Sequence, residues 1–274
     1  MRFSIIIPSF NSEKYIAQAL QSVEDQQYDK VEVILIDGGS TDRTLEIAKS
    51  FKCVKKIVSE PDKGQSDALN KGFALATGDI FYWLNSDDTI CTGALNTVVY
   101  LFSRYPEKTV CYGNWKSIDA QGRTISEHFA MEPATPRFSY ENIKAYNQSL
   151  FWKSSVHKRF PGFDIQLSRL MDDDFILWLL LNEDHKNWMY CGSFLGNFRI
   201  HGEQKTTAVM DERHLEEEKL LEKKYSFTPA DSFQGKYFRL QYRFRQLFNS
   251  LKKGGMLYTF KYFLNGLHKR GGLF

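Results

Sequence analysis

The chain has 274 residues, of which 42% are hydrophobic and 15% aromatic, enough for one large α/β domain with a real core plus a small appendage. Nine of the 36 Lys and Arg, but none of the 33 Asp and Glu, lie from Lys236 onward, so an acidic body (27 basic residues against 33 acidic) carries a basic tail. Cys53, Cys91, Cys111 and Cys191 are widely spaced and form no CxxC pair, which argues against a disulfide scaffold or zinc knuckle and suits a reducing compartment.

The opening run Phe3-Ser4-Ile5-Ile6-Ile7 reads as a strand ended by Pro8, which also interrupts any secretory signal. Glu13 to Val23 has helical spacing. Val31 to Ile36 is a second strand, closed by Asp37-Gly38-Gly39-Ser40, and Thr41 to Phe51 follows as a helix with Ser40 or Thr41 as its N-cap. Lys56 to Ser59 is a third strand, Gln65 to Ala76 a helix, and Ile80 to Leu84 a fourth strand that runs into Asn85-Ser86-Asp87-Asp88. Near-continuous apolar strands joined by helices predict a mostly parallel sheet with helices on both faces.

Val110 to Ile118 and Arg123 to His128 read as a hairpin about Asp119-Ala120-Gln121-Gly122, and Glu132 to Pro136 as loop. Phe175 to Leu181 lies in a helix that opens with three aspartates. It is also the longest apolar run, far short of the ~20 residues a membrane-spanning helix requires. Tyr190 to Ile200 reads as one or two strands, and Glu212 to Lys224 as a highly charged helix. Tyr237, Leu240, Phe244, Leu247 and Leu251, then Met256, Phe260, Phe263, Leu264 and Leu267, describe two basic amphipathic helices.

Ligands of an open parallel sheet bind where strands end at their carboxyl edge. Three such ends carry polar clusters: Ser9-Phe10-Asn11, Asp37-Gly38-Gly39-Ser40 and Asn85-Ser86-Asp87-Asp88. A carboxylate there can accept hydrogen bonds from a nucleobase or ribose, and paired acids offer oxygen ligands to Mg²⁺ or Mn²⁺ bridging to substrate phosphates. Each cluster alone is also an ordinary turn former, and it is their joint occurrence that points to a site. No GxGxxG follows the first strand and no GxxxxGK[ST] occurs, which excludes a dinucleotide oxidoreductase and a P-loop phosphotransferase.

Four segments in order, Ser4 to Asn11, Val33 to Asp42, Glu60 to Gly72 and Gly78 to Asp88, resemble the inverting nucleotide-sugar glycosyltransferases of the GT-A fold in the large second family, the bacterial polysaccharide type. The resemblance is strong over residues 3–95 and patchy to about residue 205. It implies a GT-A domain over 1–207, with a nucleotide-binding half (1–95) and an acceptor half (96–207), followed by a helical extension over 208–274. It implies that Asp37 contacts the base, with Pro8, Ser9 and Asn11 beside it, and that Asp62, Gln65 and Asp67 lie along the cleft. Asn85, Ser86 and Asp87 would complete the nucleotide site, with Asp87, Asp88 and the late-motif His201 as ligands for Mn²⁺ or Mg²⁺. Asn85 departs from the family, which often carries Asp there, and the adjoining Arg199 is of a type that neutralises phosphate.

Asp172-Asp173-Asp174 occupies the place of the family's catalytic acid pair at a helix start. By alignment to Trp178, Asp174 and then Asp173 would take the acceptor hydroxyl's proton. The bland reading is that these acids complement the helix dipole. Gln148 and Trp178 fall beside the implied acceptor cleft. The implied activity is an inverting hexosyl or N-acetylhexosaminyl transfer from a UDP-linked donor to a glycan or lipid-linked acceptor. Residues 236–274 read as a contact with an anionic membrane surface at the cytoplasmic face rather than with nucleic acid, with packing or a homo-oligomer contact as the alternative. The rival from another class is a non-catalytic nucleotide- or sugar-binding module derived from such an enzyme.

Overall fold

The computed structural model describes residues 1–130, 147–202, 204 and 212–225. β1 (Phe3–Ser9), β2 (Val31–Asp37), β3 (Val54–Ser59) and β4 (Ile80–Trp83) alternate with α1 (Ile16–Glu24), α2 (Thr44–Lys49) and α3 (Gln65–Ala74), in the order the sequence predicts. One start differs. α2 begins at Thr44 and has no cap from Ser40 or Thr41, because the Ser40 hydroxyl donates to Asp37 and the Thr41 N–H donates to Asn11 Oδ1. Asp42 instead accepts from the Thr44 N–H at 3.0 Å.

The second half holds β5 (Thr89–Ile90), α4 (Ala94–Arg104), the hairpin β6 (Val110–Ile118) and β7 (Thr124–His128), β8 (Leu150–Lys153), α5 (Ser154–His157), α6 (Met171–Asn182), β9 (Trp188–Arg199) and α7 (Glu212–Tyr225). All strands join one mixed sheet in the order β3-β2-β1-β4-β8-β6-β9-β5, with β7 on β6. The first four are mutually parallel, and β8 then inserts antiparallel between β4 and β6. β6 and β9 run parallel, with a register shift between Tyr112 and Trp115 that keeps Gly192 and Gly196 within one continuous late strand. Gly196 has a steric reason: a Cβ there would lie 1.8 Å from the Gln148 carbonyl oxygen.

Alternation along the buried strands sorts side chains to two faces. Ile6, Ile34 and Ile36 join a cluster with α3, α5 and α6, while Phe3, Ile5, Ile7, Val33 and Leu35 face α1, α2 and α4. α7 belongs to the first cluster, where Leu221 is fully buried with Leu179 and Leu180 of α6. The expected helices beyond Lys236 and the loop at 132–136 lie outside the described residues. No helix among the described residues is long and apolar enough to cross a membrane.

Candidate active site

Parallel register brings the ends of β1 and β2 side by side, with Ser9 opposite Asp37, and the Leu84 N–H donates to Ile6 as β4 ends beside them. The loops leaving these ends enclose a cleft of about 470 Å³. Pro8, Ser9, Phe10 and Asn11 line it from β1, Asn85, Ser86 and Asp87 from β4, Asp62, Gly64 and Gln65 from the approach to α3, and His201 from beyond β9.

Asp37 is fully buried and is not part of the cleft lining. Its carboxylate accepts from the Gly39 and Ser40 N–H groups at 3.1 and 2.9 Å, from the Ser40 hydroxyl, and from the Ser59 hydroxyl at 2.7 Å. It builds the loop after β2. Ser40 in turn accepts from the Asn11 N–H at 2.7 Å, holding Asn11 at φ 46°, a left-handed conformation that Asn tolerates better than most residues. The carboxylate that reaches the cleft at this end is Asp62. Its Oδ2 stands 2.8 Å from where a Cβ at position 38 would be, so Gly38 leaves the room that Asp62 fills. Asp67 accepts from the Lys63 N–H and pairs with Lys71, on the first turn of α3 and off the cleft lining.

At the other end, Asn85 is a hub. Its Oδ1 accepts from Gln65 Nε2 at 2.8 Å and Trp83 Nε1 at 2.7 Å, and its Nδ2 donates to Asp88 at 3.0 Å. Asp88, 2% exposed, also accepts from the Arg199 N–H at 2.8 Å. Burial, reinforced by the charge of Asp87, pushes its carboxyl well above the ordinary range. Asp87 behaves differently: its carboxylate lines the cleft 2.9 Å from His201 Nε2. The His201 ring packs on Tyr15, 4.7 Å between centroids.

Among the described residues no group of three or more His, Cys, Asp or Glu is arranged to hold a metal. Two donors on a cleft wall nevertheless fit Mn²⁺ or Mg²⁺, which characteristically takes one or two protein ligands and completes its shell from phosphate and water. Asp87 and His201 would supply those donors, whereas both carboxylate oxygens of Asp88 are already hydrogen-bonded.

The expected acid pair sits elsewhere, at the start of α6, and neither member lines the cleft. Asp174, 1% exposed, accepts twice from Lys224 Nζ, at 2.8 and 2.9 Å, and from the Tyr225 hydroxyl at 2.6 Å. Burial and that bond raise the Tyr225 phenol above its usual range. Asp173 is buried beside it, and Asp172 accepts from Asn147 at 3.4 Å. α7 holds this turn a second time. Buried Glu217 accepts from the N–H groups of Ser168, Arg169 and Leu170 at 2.8 to 3.0 Å, capping from a distant helix a terminus whose own Leu170 offers no side-chain cap. Burial alone would raise the Glu217 carboxyl; these donors bring it below the ordinary range. The acid turn adjoins the cleft through α3, where the Ser66 hydroxyl, next to Gln65, donates to Leu167 at 2.9 Å. Gln148 is buried and Trp178 partly buried, and neither lines the cleft. The Gln148 carbonyl accepts from the Tyr82 hydroxyl at 2.9 Å, and the Trp178 ring lies 5.1 Å from Phe160.

Several lining residues carry no role in the sequence analysis. Phe10, 62% exposed, offers an aromatic face at the cleft mouth, and an apolar side chain inside a polar post-strand cluster is the signal that marks it. Ser12, Lys14 and Tyr15 follow on the same loop. Ser9 Oγ and the Tyr15 hydroxyl are buried lining residues' atoms without a hydrogen-bond partner, a cost that protein interiors seldom carry without a functional reason.

The model of the family described as Glycosyl transferase family 2 matches residues 4–164. An uncharacterized glycosyltransferase of Nostoc sp. is 32% identical over 143 residues, 47% of this chain and 44% of that protein. A PGL/p-HBAD biosynthesis glycosyltransferase of Mycobacterium tuberculosis is 34% identical over 117 residues, 41% of this chain and 46% of that protein. The chain thus spans about half the length of the curated relatives it matches. Among solved structures, S. aureus TarS in complex with UDP-GlcNAc superposes with a TM-score of 0.64 at 21% identity, over 81% of this chain and 65% of that one. The TarS complex with UDP gives 0.60 at 20% identity, over 85% and 74%. At that identity the likeness speaks for the fold.

Proposed function

Because the chain belongs to glycosyl transferase family 2, we propose that it moves a sugar from a nucleoside-diphosphate donor, UDP-linked, to a hydroxyl of a glycan or lipid-linked glycan with inversion at the anomeric carbon. The observation that carries this reading is the Asp87–His201 pair, side by side on the wall of a cleft at the carboxyl ends of β1, β2 and β4. The same cleft lining also offers what a nucleoside needs, an exposed aromatic face in Phe10 and a carboxylate acceptor in Asp62. The donor therefore lies with its base toward Phe10 and its diphosphate toward Asp87. Gln65 and Ser86 line the same cleft, with Ser9 and Asn11 from β1 and the loop after it. A TarS structure of similar fold holds UDP-GlcNAc, which favours a hexose or N-acetylhexosamine as the group moved.

Mn²⁺ or Mg²⁺, when bound, neutralises the diphosphate that departs. The chain's own part is to hold the donor in line and to take the acceptor's proton. In this reading the proton goes to the Asp173–Asp174 turn, which adjoins the cleft through α3 without lining it, with Lys224 and Tyr225 fixing Asp174. The catalytic unit then extends beyond residue 207 to include α7, which supports that pair directly. The basic stretch from Lys236, free of acidic residues, favours peripheral attachment at an anionic membrane face where lipid-linked acceptors reside.

Calorimetric titration of UDP, with GDP and dTDP as comparisons, each with and without Mn²⁺, tests the reading. Binding of UDP that is strengthened by Mn²⁺ and exceeds that of the other two is expected. Failure to bind any nucleotide under all these conditions would overturn it in favour of a derived, inactive module.

A further inference from the structure

Arg199 is the last residue of β9, two positions before His201, and at 1% exposure it is one of the largest fully buried side chains. The sequence suggests a phosphate partner, yet its guanidinium does not line the cleft. Nε donates to the carbonyl of Asp87 at 2.7 Å, Nη1 to the carbonyls of Asp119 and Ala120 at 3.0 and 3.2 Å, and Nη2 to Gln18 Oε1 at 2.9 Å. The same cation lies 4.8 Å from the centre of the Tyr15 ring, and the backbone N–H of Arg199 donates to Asp88. One side chain thus joins the Asp87–Asp88 turn, the tip of the β6–β7 hairpin and α1.

A buried cation is costly unless nearby charge and hydrogen bonds compensate it. Here the hydrogen-bond acceptors of the side chain are neutral carbonyls, and the compensating charge comes from neighbouring carboxylates, Asp87 among them. We infer that Arg199 is a positioning residue for cation binding. Its planar fork fixes the Asp87 carbonyl, and with it the turn that aims the Asp87 carboxylate at His201 across the cleft wall. Lys cannot replace this fork, because its single ammonium cannot reach acceptors on three elements in one plane.

The inference rests on the proposed nucleotide-sugar reading, and the experiment separates the two. Mn²⁺ uptake is followed by loss of the free-ion EPR signal, alone and with UDP, for wild type, Arg199→Met and Arg199→Lys, with thermal melts as a check on folding. Removal of the residues that orient metal ligands typically costs 10–100-fold in metal affinity. Arg199→Met should therefore raise the Mn²⁺ midpoint about 10–100-fold, and Arg199→Lys by a smaller factor. UDP affinity at saturating Mn²⁺ should return to within a few-fold of wild type, since Arg199 touches no ligand in this account. A residue with a merely structural role would lower the melting temperature of both variants without moving the Mn²⁺ midpoint of the folded fraction. An unchanged midpoint in the folded variants overturns the inference, as does UDP binding that stays weak at saturating Mn²⁺. If Arg199→Met does not fold, Arg199→Lys carries the same criterion. Wild type that takes up neither Mn²⁺ nor UDP would instead sink the functional reading itself.

Discussion

Carboxylates gather in two places in this molecule, and the two are built on opposite plans. At the strand ends, backbone register sets Ser9, Asp37 and the start of the Asn85 turn in a row, and Asp62 and Asp87 reach into the cleft. At the start of α6, helix packing decides, and the acids are met by donors from the same chain: Lys224 and Tyr225 on Asp174, and three backbone N–H groups on Glu217. The difference teaches that motif membership does not by itself make an acid available to a ligand. Asp37 ends β2 and Asp87 lies in the turn after β4 of the same sheet, yet four donors occupy Asp37 while Asp87 stands on the cleft wall with His201.

The sharpest way to break the comparison is to remove one acid from each place. Asp87→Ala should weaken Mn²⁺-dependent UDP binding by about 10²–10³-fold, the several kcal/mol that cation neutralisation of a diphosphate supplies. Its melting temperature should fall only modestly, because the Asp87 side chain is 31% exposed and bonded to His201 at the rim, although its charge also helps to compensate buried Arg199. Calorimetry paired with a thermal melt reads both. A large loss of stability with intact UDP binding would place Asp87 with the structural acids.

Glu217→Ala should do the reverse. It leaves three N–H groups beneath α7 without their acceptor, and an unsatisfied buried donor costs about 1–3 kcal/mol. A net loss of about 3 kcal/mol follows, because relaxation and water recover part of the sum. For a chain of this size that lowers the melting temperature by about 6–12 °C. UDP binding at 20 °C should survive within a few-fold. If Glu217→Ala melts with wild type, α7 does not hold α6 as described.

These contrasts also explain what the sequence makes legible. Parallel strands with post-strand polar clusters are local signals, so β1 to β4 and the cleft loops could be read directly, whereas the joint role of Asp87 and His201 is implied only by the family resemblance. α4 has an equally clear pattern in buried Leu95, Val98 and Phe102, three or four apart, although no catalytic motif draws attention to it. The antiparallel insertion of β8 between β4 and β6 leaves no local trace, since pairing Phe81 with Trp152 is a matter of tertiary packing. Neither could spacing reveal that the donors to Asp174 lie fifty residues further on, or that Asp37 is enclosed by Gly39, Ser40 and Ser59. Position in a motif is encoded locally, whereas hydrogen-bond partners are settled by the fold.

A pH titration sharpens the structural side of the contrast. His157 stands among Phe73, Phe81, Trp152, Phe160 and Phe175, its Nδ1 has no partner, and burial lowers its pKa to about 4. The unfolded chain, with an ordinary His pKa near ~6.5, binds the proton more readily, so stability rises with pH between about 4 and 6.5 and is lost as pH falls through that window. At pH 5 the loss is about 2 kcal/mol relative to pH 7.5. Denaturant melts across pH 4.5–7.5 should show this slope, and His157→Phe should flatten it. A slope unchanged by the substitution would assign it to another group.

The smallest expected effect falls on the cleft and tests its nucleoside end. Phe10 is 62% exposed, so Phe10→Ala removes little buried area and should leave the melting temperature within about 1–2 °C of wild type. An aromatic face stacked on a base contributes about 1–3 kcal/mol, and at an exposed cleft mouth about 1–2 kcal/mol of that applies, so UDP affinity should fall roughly 5- to 30-fold. The loss should be equal with and without Mn²⁺, because the base end and the Asp87–His201 end act on different parts of one ligand. Asp87→Ala, by contrast, weakens binding only where Mn²⁺ contributes. A Phe10→Ala defect that appeared only with Mn²⁺ would reverse the orientation proposed for the donor and put the diphosphate, not the base, beside β1. A defect confined to stability would return Phe10 to the core, and with it the claim that an exposed aromatic among polar post-strand residues marks a ligand face.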